Sequence, residues 1–226
     1  MADTTPTAIF DLDGSLAHTG PDLVAALNHA IATLDLPPVA LDQMNVFLGQ
    51  GAVPMIERAL DHFGVVVNDS ERQNLLDRFL QYYQDTMPGE TRLFDGVEAL
   101  MNEMESHGWL LCICTNKRQD MADRLLDRMG LSARFSAICG GDAFEFKKPD
   151  GRHLIETVKK AGGSPSNAVM FGDSIADVNG AKDARIPVVG VTFGYTNTPM
   201  AQLGPDMMID SFRDLSLDIL GSLVDR

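Results

Sequence analysis

Asp11 and Asp13 stand one residue apart directly behind the apolar run Ala8-Ile9-Phe10, and Gly14-Ser15 follows them. In an extended chain residues i and i+2 face the same side, so both carboxylates project together from the carboxyl end of one strand. Gly14 and Ser15 then turn the backbone away. Two adjacent carboxylates repel, and one takes up a proton unless a cation lies between them. Such a conflict is wasteful in a scaffold and useful in a reactive centre.

Three further polar clusters each sit at the end of an apolar run or in a turn. Thr115-Asn116 follows Trp109-Leu110-Leu111-Cys112-Ile113-Cys114 and offers a hydroxyl and an amide to an oxyanion without adding charge; the pair is also ordinary turn chemistry. Lys147-Lys148-Pro149-Asp150 offers a fixed point charge. Phe171-Gly172-Asp173-Ser174-Ile175-Ala176-Asp177 follows Ala168-Val169-Met170, with Asp173 as a hard oxygen ligand. Asp177 reads equally as a first-turn helix acid and as a support behind a metal. Together Asp11, Asp13, Asp173 and Asp177 crowd one rim with negative charge. Mg²⁺ resolves this, because it takes oxygen ligands and pairs few carboxylates with a substrate phosphate. Phosphoryl transfer needs those parts: a nucleophile, a metal, a lysine and neutral donors.

The elements that must carry these clusters alternate. Short apolar strands near 8–10, 109–114, 136–139, 168–171 and 188–192 are separated by helical stripes near 95–107, 119–129, 151–161 and 176–184, with 207–209 as a last strand before a C-terminal helix. That pattern predicts an α/β fold, a Rossmann-like parallel sheet covered on both faces, whose ligands sit beyond the carboxyl ends of the strands. Residues 16–88 break the alternation. Leu23, Leu27, Ala30, Ile31 and Leu34 form one stripe up to Pro37-Pro38; Val53, Ile56, Leu60 and Phe63 form a second, closed by Gly64. Leu75, Leu76, Phe79, Leu80 and Tyr83 form a third, capped by Asp69 or Ser70. Three helices inserted as a lid over a core of residues 1–15 and 89–226 are expected.

The chain has 226 residues, 45% of them hydrophobic, enough for one good core and a smaller second unit. A net charge of −14 argues against nucleic acid or an anionic membrane as partner, since both require clustered Lys and Arg. No apolar run approaches the roughly 18 residues a bilayer span needs, and Met1–Thr7 shows no leader pattern. Cys112, Cys114 and Cys139 lack metal or CxxC spacing and read as small buried hydrophobes, in keeping with a reducing cytoplasm.

The ordered set DxDGS, TN, KP and GDSxxD resembles the haloacid dehalogenase-like superfamily of phosphohydrolases, and secondary segments such as Pro21-Asp22-Leu23, Phe47-Leu48-Gly49-Gln50-Gly51, Thr115-Asn116-Lys117 and Val191-Thr192-Phe193-Gly194-Tyr195 are most similar to its phosphoglycolate phosphatases. The resemblance implies a helical cap inserted after the first motif. It implies that Asp11 attacks phosphorus to form an aspartyl-phosphate, while Asp13 protonates the leaving oxygen and later deprotonates water. It further implies Mg²⁺ held by the Asp11 carboxylate, the Asp13 backbone carbonyl and Asp173, with Asp177 behind. Thr115, Asn116 and Lys148 would contact phosphate, Lys148 being preferred over Lys147 because it precedes Pro149. Two positions depart from the family pattern: Ser15 replaces a threonine, and His18 stands where an acidic residue is usual near the cap hinge.

The expected reaction is Mg²⁺-dependent hydrolysis of a small phosphorylated metabolite, with 2-phosphoglycolate leading. Asp13 argues against dehalogenation, and the lack of any lysine before Lys117 excludes a Schiff-base phosphonatase. A sugar-phosphate mutase, a pyrophosphatase and a nucleotidase remain open, as does, from another class, a catalytically silent binding module. Arg58, Arg72 and Arg78, with His18, His29 and His62, are the cap groups able to meet a substrate anion. Arg58 and His18 are the candidate substrate contacts, each also readable as an ordinary surface or hinge residue.

Overall fold

A computed structural model describes residues 5–48 and 51–224. Gly49 and Gln50, part of the segment Phe47-Leu48-Gly49-Gln50-Gly51, lie outside the described residues, as does the Met1–Thr4 end. Six strands form one sheet in the order β5-β4-β1-β6-β7-β8. These are β1 (Thr7–Phe10), β4 (Leu110–Cys114), β5 (Ala137–Cys139), β6 (Ala168–Gly172), β7 (Val188–Val191) and β8 (Met207–Ile209), and every pairing between them is parallel. The chain runs from β1 outward through β4 to β5, then crosses to the other side of β1 for β6, β7 and β8. The reversal beside β1 is the switch point at which such sheets open a crevice past their carboxyl ends.

Alternate residues of each strand go to opposite faces. Ala8, Phe10, Leu111, Ile113, Val169 and Phe171 join one buried cluster; Ile9, Cys112, Cys114, Ala168 and Met170 join the other. On the first face Phe10 stacks on Phe171 with ring centres 4.8 Å apart. On the second, α7 (Arg152–Lys160) and α8 (Ile175–Ala184) pack Leu154, Val158, Val178 and Ala181 against the strands. All three cysteines are free and buried, as the small-hydrophobe reading requires.

Residues 16–88 hold four α-helices among the described residues rather than the three expected: α1 (Gly20–Ile31), the short α2 (Met44–Phe47), α3 (Ala52–Phe63) and α4 (Asp69–Thr86). The first ends earlier than its stripe, passing through a 3-10 turn to left-handed Asp35 before the prolines are reached. In α3 the buried stripe is Met55, Ile56, Ala59 and Leu60, which leaves Val53 outside it and exposed. The α4 cap is Asn68, whose side chain accepts from the Glu71 N–H while the Glu71 carboxylate accepts from the Asn68 N–H. A Glu at the third helical position outbids Asp69 or Ser70, because only Asn68 gives it that reciprocal pairing.

A feature absent from the sequence reading joins the insertion to the sheet. β2 (Ala17–His18) and β3 (Arg92–Leu93) form a two-stranded antiparallel ribbon where the chain leaves the core and returns to it. The remaining helices, α5 (Val97–Ser106), α6 (Gln119–Arg128), α9 (Met200–Leu203) and α10 (Leu217–Val224), follow the alternation.

Candidate active site

Register assembles the site. Phe10 pairs with Ile113 on one side and Phe171 on the other, so the next residues, Asp11, Cys114 and Gly172, lie abreast at the strand ends. Asp11 is 7% exposed, Asp173 3% and Asp177 0%, and their carboxylate oxygens lie within 4.8 Å of one another. Lys148 enters this floor from the β5–α7 connection. Its ammonium donates to Asp11 Oδ1 at 2.7 Å, Asp177 Oδ1 at 2.6 Å and the Cys114 carbonyl at 2.6 Å, which uses all three protons. Burial opposes the charge, but Asp11 and then Asp177 outweigh it and raise the lysine above its ordinary value.

The acids remain under strain despite that lysine. Burial pushes the Asp11 carboxyl up to about 6, against the pull of Lys148. Burial, then the charges of Asp177 and Asp11, push Asp173 well above the usual carboxylate range. Three buried carboxylates against one ammonium leave a negative excess. The donor set is all hard oxygen, so the residues present fit a divalent cation of the Mg²⁺ type.

Each acid is positioned by a local device. Asp173 accepts from Ser15 Oγ at 3.2 Å and from the Tyr195 N–H at 2.6 Å. Gly14, at φ +90°, and Gly194 supply the space: a Cβ at Gly14 would meet Asp173 Oδ2 at 2.5 Å, and one at Gly194 would meet Asp173 Cβ at 2.1 Å. Asp177 caps α8 through Ser174, whose N–H and hydroxyl donate to Oδ2 at 3.0 and 2.6 Å, while Oδ1 holds Lys148. It is a first-turn acid that also holds the buried lysine. Thr115 is buried at the end of β4, its Oγ1 accepting from the Lys117 N–H at 3.2 Å. Asn116 donates to the Lys148 carbonyl at 2.8 Å, and its own Oδ1 makes no hydrogen bond among the described residues.

Asp13 behaves differently. Its carboxylate leaves the metal-like cluster and meets the Lys117 ammonium at 2.9 and 2.8 Å. Both groups line a cleft of about 350 Å³ whose floor holds Asp11, Lys148 and Asp173, and whose roof is Leu48, Met55, Arg58, Phe79 and Tyr83 of the insertion. Lys147 is exposed at the rim, whereas Lys148 is placed on Asp11.

Of the two candidate substrate contacts, Arg58 lines the cleft and His18 does not. Arg58 Nη1 donates to the Phe47 and Leu48 carbonyls at 2.9 and 3.0 Å, holding the end of α2 over the cleft. His18 sits in β2 with Nδ1 2.9 Å from the Tyr195 hydroxyl, which also accepts from the Gly20 N–H at 2.7 Å. Burial and then Arg92 lower the His18 pKa, so the ring is neutral at pH 7 and serves the ribbon. Among the other cap groups, Arg72 pairs with Glu57, His29 stacks on Tyr82 and His62 packs edge-on to Phe47, all outside the cleft lining. Lys117, Tyr83 and Tyr195 are site residues to which the sequence reading gave no role; their partners are separated from them in sequence by 22 residues or more.

A switch-point sheet with an acid nucleophile candidate, a lysine and a divalent-type oxygen cluster at its strand ends defines a hydrolase class, and the family model for haloacid dehalogenase-like hydrolases matches residues 8–191. The chain belongs to that family. Its relatives include a phosphoglycolate phosphatase of Agrobacterium fabrum, 43% identical over 98% of this chain and 95% of its own length. Another, from Caulobacter vibrioides, is 40% identical over 92% and 88%. The crystal structure of a predicted phosphoglycolate phosphatase from Haemophilus somnus shares the fold with a TM-score of 0.88 and 29% identity, over 96% of this chain and 98% of that one.

Proposed function

We propose that the chain is a phosphatase for small phosphate monoesters with 2-phosphoglycolate as its leading substrate, built as a core of residues 1–15 and 89–226 under a cap of residues 16–88. The observation that carries the reading is Asp11 lying on Lys148 and beside Asp173 at the floor of a cleft into which Asp13 also points. The phosphoglycolate phosphatases at 43% and 40% identity support the substrate.

In this reading Asp11 attacks phosphorus and forms an aspartyl-phosphate as the ester oxygen leaves with a proton from Asp13. Asp13 then takes a proton from the water that cleaves the intermediate. Lys148, the Thr115 hydroxyl and the Asn116 amide hold the phosphoryl oxygens through the transfer. Asp11, Asp173 and the Asp13 main-chain carbonyl would hold Mg²⁺, with Asp177 behind them; bound there, the ion neutralises charge between the acids and the phosphate. The apolar roof of Leu48, Met55 and Phe79 excludes bulk water when it lies over the floor. The three buried free thiols fit a reducing cytoplasmic setting, and no helix among the described residues is long and apolar enough to cross a membrane.

The test is Mg²⁺-dependent phosphate release from 2-phosphoglycolate, hexose phosphates, pyrophosphate and nucleotides, with Asp11→Asn beside the parent. The highest kcat/KM is expected on 2-phosphoglycolate, and no steady-state turnover in the variant. A substantial rate in Asp11→Asn would refute the nucleophile. A higher kcat/KM on another member of the panel would displace the substrate and leave the hydrolase, whereas no release from any member would favour a silent binding module.

A further inference from the structure

Lys117 has no part in the reaction as described, yet it is the cation next to the leaving-group side. Its side chain is 6% exposed, its ammonium bonds both oxygens of Asp13, and it lies 4.5 Å from the centre of the Tyr83 ring. Burial opposes its charge, but Asp13 outweighs it and keeps the ammonium protonated. Tyr83 comes from α4 of the insertion, is 1% exposed, and lines the same cleft. Its hydroxyl makes no hydrogen bond among the described residues. A buried hydroxyl without a partner is costly, so one on a side chain that lines a cavity marks a place for a ligand atom. Of the other cations lining the cleft, Arg118 pairs with Asp120, Arg58 Nη1 holds two carbonyls, Lys147 is exposed at the rim, and Lys148 belongs to the floor.

We propose that Lys117 and Tyr83 form a subsite that reads a carboxylate on the leaving group. The inference rests on the phosphatase reading and names the feature by which that site selects its substrate. The ester oxygen must lie against Asp13, and Lys117 is bonded to Asp13. Whatever hangs from that oxygen therefore comes within reach of the ammonium. In 2-phosphoglycolate one methylene separates the ester oxygen from a carboxylate, which would accept from the Lys117 ammonium and the Tyr83 hydroxyl together. A sugar offers neutral hydroxyls at that place and cannot replace a charge-assisted pair. Lys117 belongs to the sheet side and Tyr83 to the insertion, so the carboxylate would bridge the two layers.

The test compares kcat/KM for 2-phosphoglycolate and for 2-hydroxyethyl phosphate, which has a neutral hydroxymethyl group in place of the carboxylate, in the parent, Lys117→Met, Lys117→Arg and Tyr83→Phe. The ratio of the two constants cancels any loss of folded protein, because both substrates meet the same preparation. The parent is expected to prefer the carboxylate. Lys117→Met should cut that preference by about 10- to 100-fold, the worth of a charge-assisted hydrogen bond. Tyr83→Phe should cut it by about 5-fold, and Lys117→Arg should keep most of it. Equal losses on both substrates in Lys117→Met, or a parent without preference, would overturn the subsite while leaving the phosphatase standing. A parent that hydrolyses neither ester would instead refute the phosphatase reading, and the subsite with it.

Discussion

Replacing Asp22 by Asn should weaken the joint between the two layers by a predictable amount. Asp22 lies in the first turn of α1, is 7% exposed, and fastens the outgoing chain to the returning one. Its Oδ2 accepts from the Gly89 N–H at 2.9 Å, the Thr91 N–H at 3.1 Å and the Thr91 hydroxyl at 2.6 Å, and Oδ1 accepts from the Glu90 N–H at 2.7 Å. Asn keeps the shape but turns one oxygen into a donor. With the amide nitrogen at the Oδ1 place it faces the Glu90 N–H; at the Oδ2 place it faces two N–H groups. The milder arrangement strands one backbone donor, at about 1–3 kcal/mol, and converts the remaining bonds from charged to neutral. Relief from burying a carboxylate offsets part of that. A net loss of about 2–4 kcal/mol follows. Urea unfolding at pH 7 reads it as a lower midpoint with an unchanged slope. A loss below about 0.5 kcal/mol, the level of an ordinary surface change, would show that these bonds do not hold the ribbon.

Three other outcomes follow from the same geometry. Lys148→Met leaves Asp11 and Asp177 without their shared counter-charge, so stability should fall by about 3–5 kcal/mol and phosphate release by at least about 100-fold; a normal melt with normal turnover would contradict it. Gly14→Ala puts a Cβ 2.5 Å from Asp173 Oδ2 at a φ of +90°, so turnover should drop as Asp173 moves, with about 1–3 kcal/mol of stability lost; a parental rate would mean that the loop yields without disturbing the acid. His153 is fully buried, accepts from the Lys148 N–H at 3.3 Å, and is lowered from 6.5 to about 4, mainly by burial and then by Lys148. Its folded pKa is the lower one, so the unfolded chain binds the extra proton. Its contribution is complete above pH 6.5 and is lost as pH falls toward 4, about 2 kcal/mol between pH 7 and 5. The raised Asp11 works in the opposite sense, so the measurement is the difference between parent and His153→Gln; an identical pH dependence in the two would refute the assignment.

What was legible in the sequence was what strand register settles locally. Asp11, Thr115 and Asp173 each directly follow an apolar run, and parallel pairing brings such ends together whatever the rest of the chain does. Lys148 was legible through its neighbours, and its bonds to Asp11 and Asp177 agree with that reading. What escaped depends on packing across the insertion. Tyr83 sits in the same helical stripe as the buried apolar residues Leu75 and Phe79, so periodicity cannot show that its ring meets Lys117. Tyr195 binds Asp173 through its backbone N–H, a contact that side-chain chemistry does not announce. His18 and Arg58 were recognised by type, but their hydrogen bonds go to Tyr195 and to the Phe47 and Leu48 carbonyls, which only the ribbon and the end of α2 determine.

The two aspartates of the first motif each have a lysine, and the difference between the lysines separates chemistry from selection. Lys148 is fixed on every side by elements of the sheet: Asp11 after β1, the Cys114 carbonyl of β4 and Asp177 in α8. Nothing in the insertion is needed to place it, so the floor keeps its charge whatever lies above. Lys117 has one partner in the sheet layer, Asp13, and one in the roof, the Tyr83 ring. Its position therefore depends on where α4 rests. In the proposed reaction the phosphoryl group would bind at the fixed lysine, which fits a step common to many substrates. Its leaving group would meet the lysine whose surroundings the insertion completes, so discrimination would be available only when roof and floor are together. Exchanging the roof should change what is recognised while Asp11, Lys148 and Asp173 keep their places, because no bond named among those three passes through the insertion.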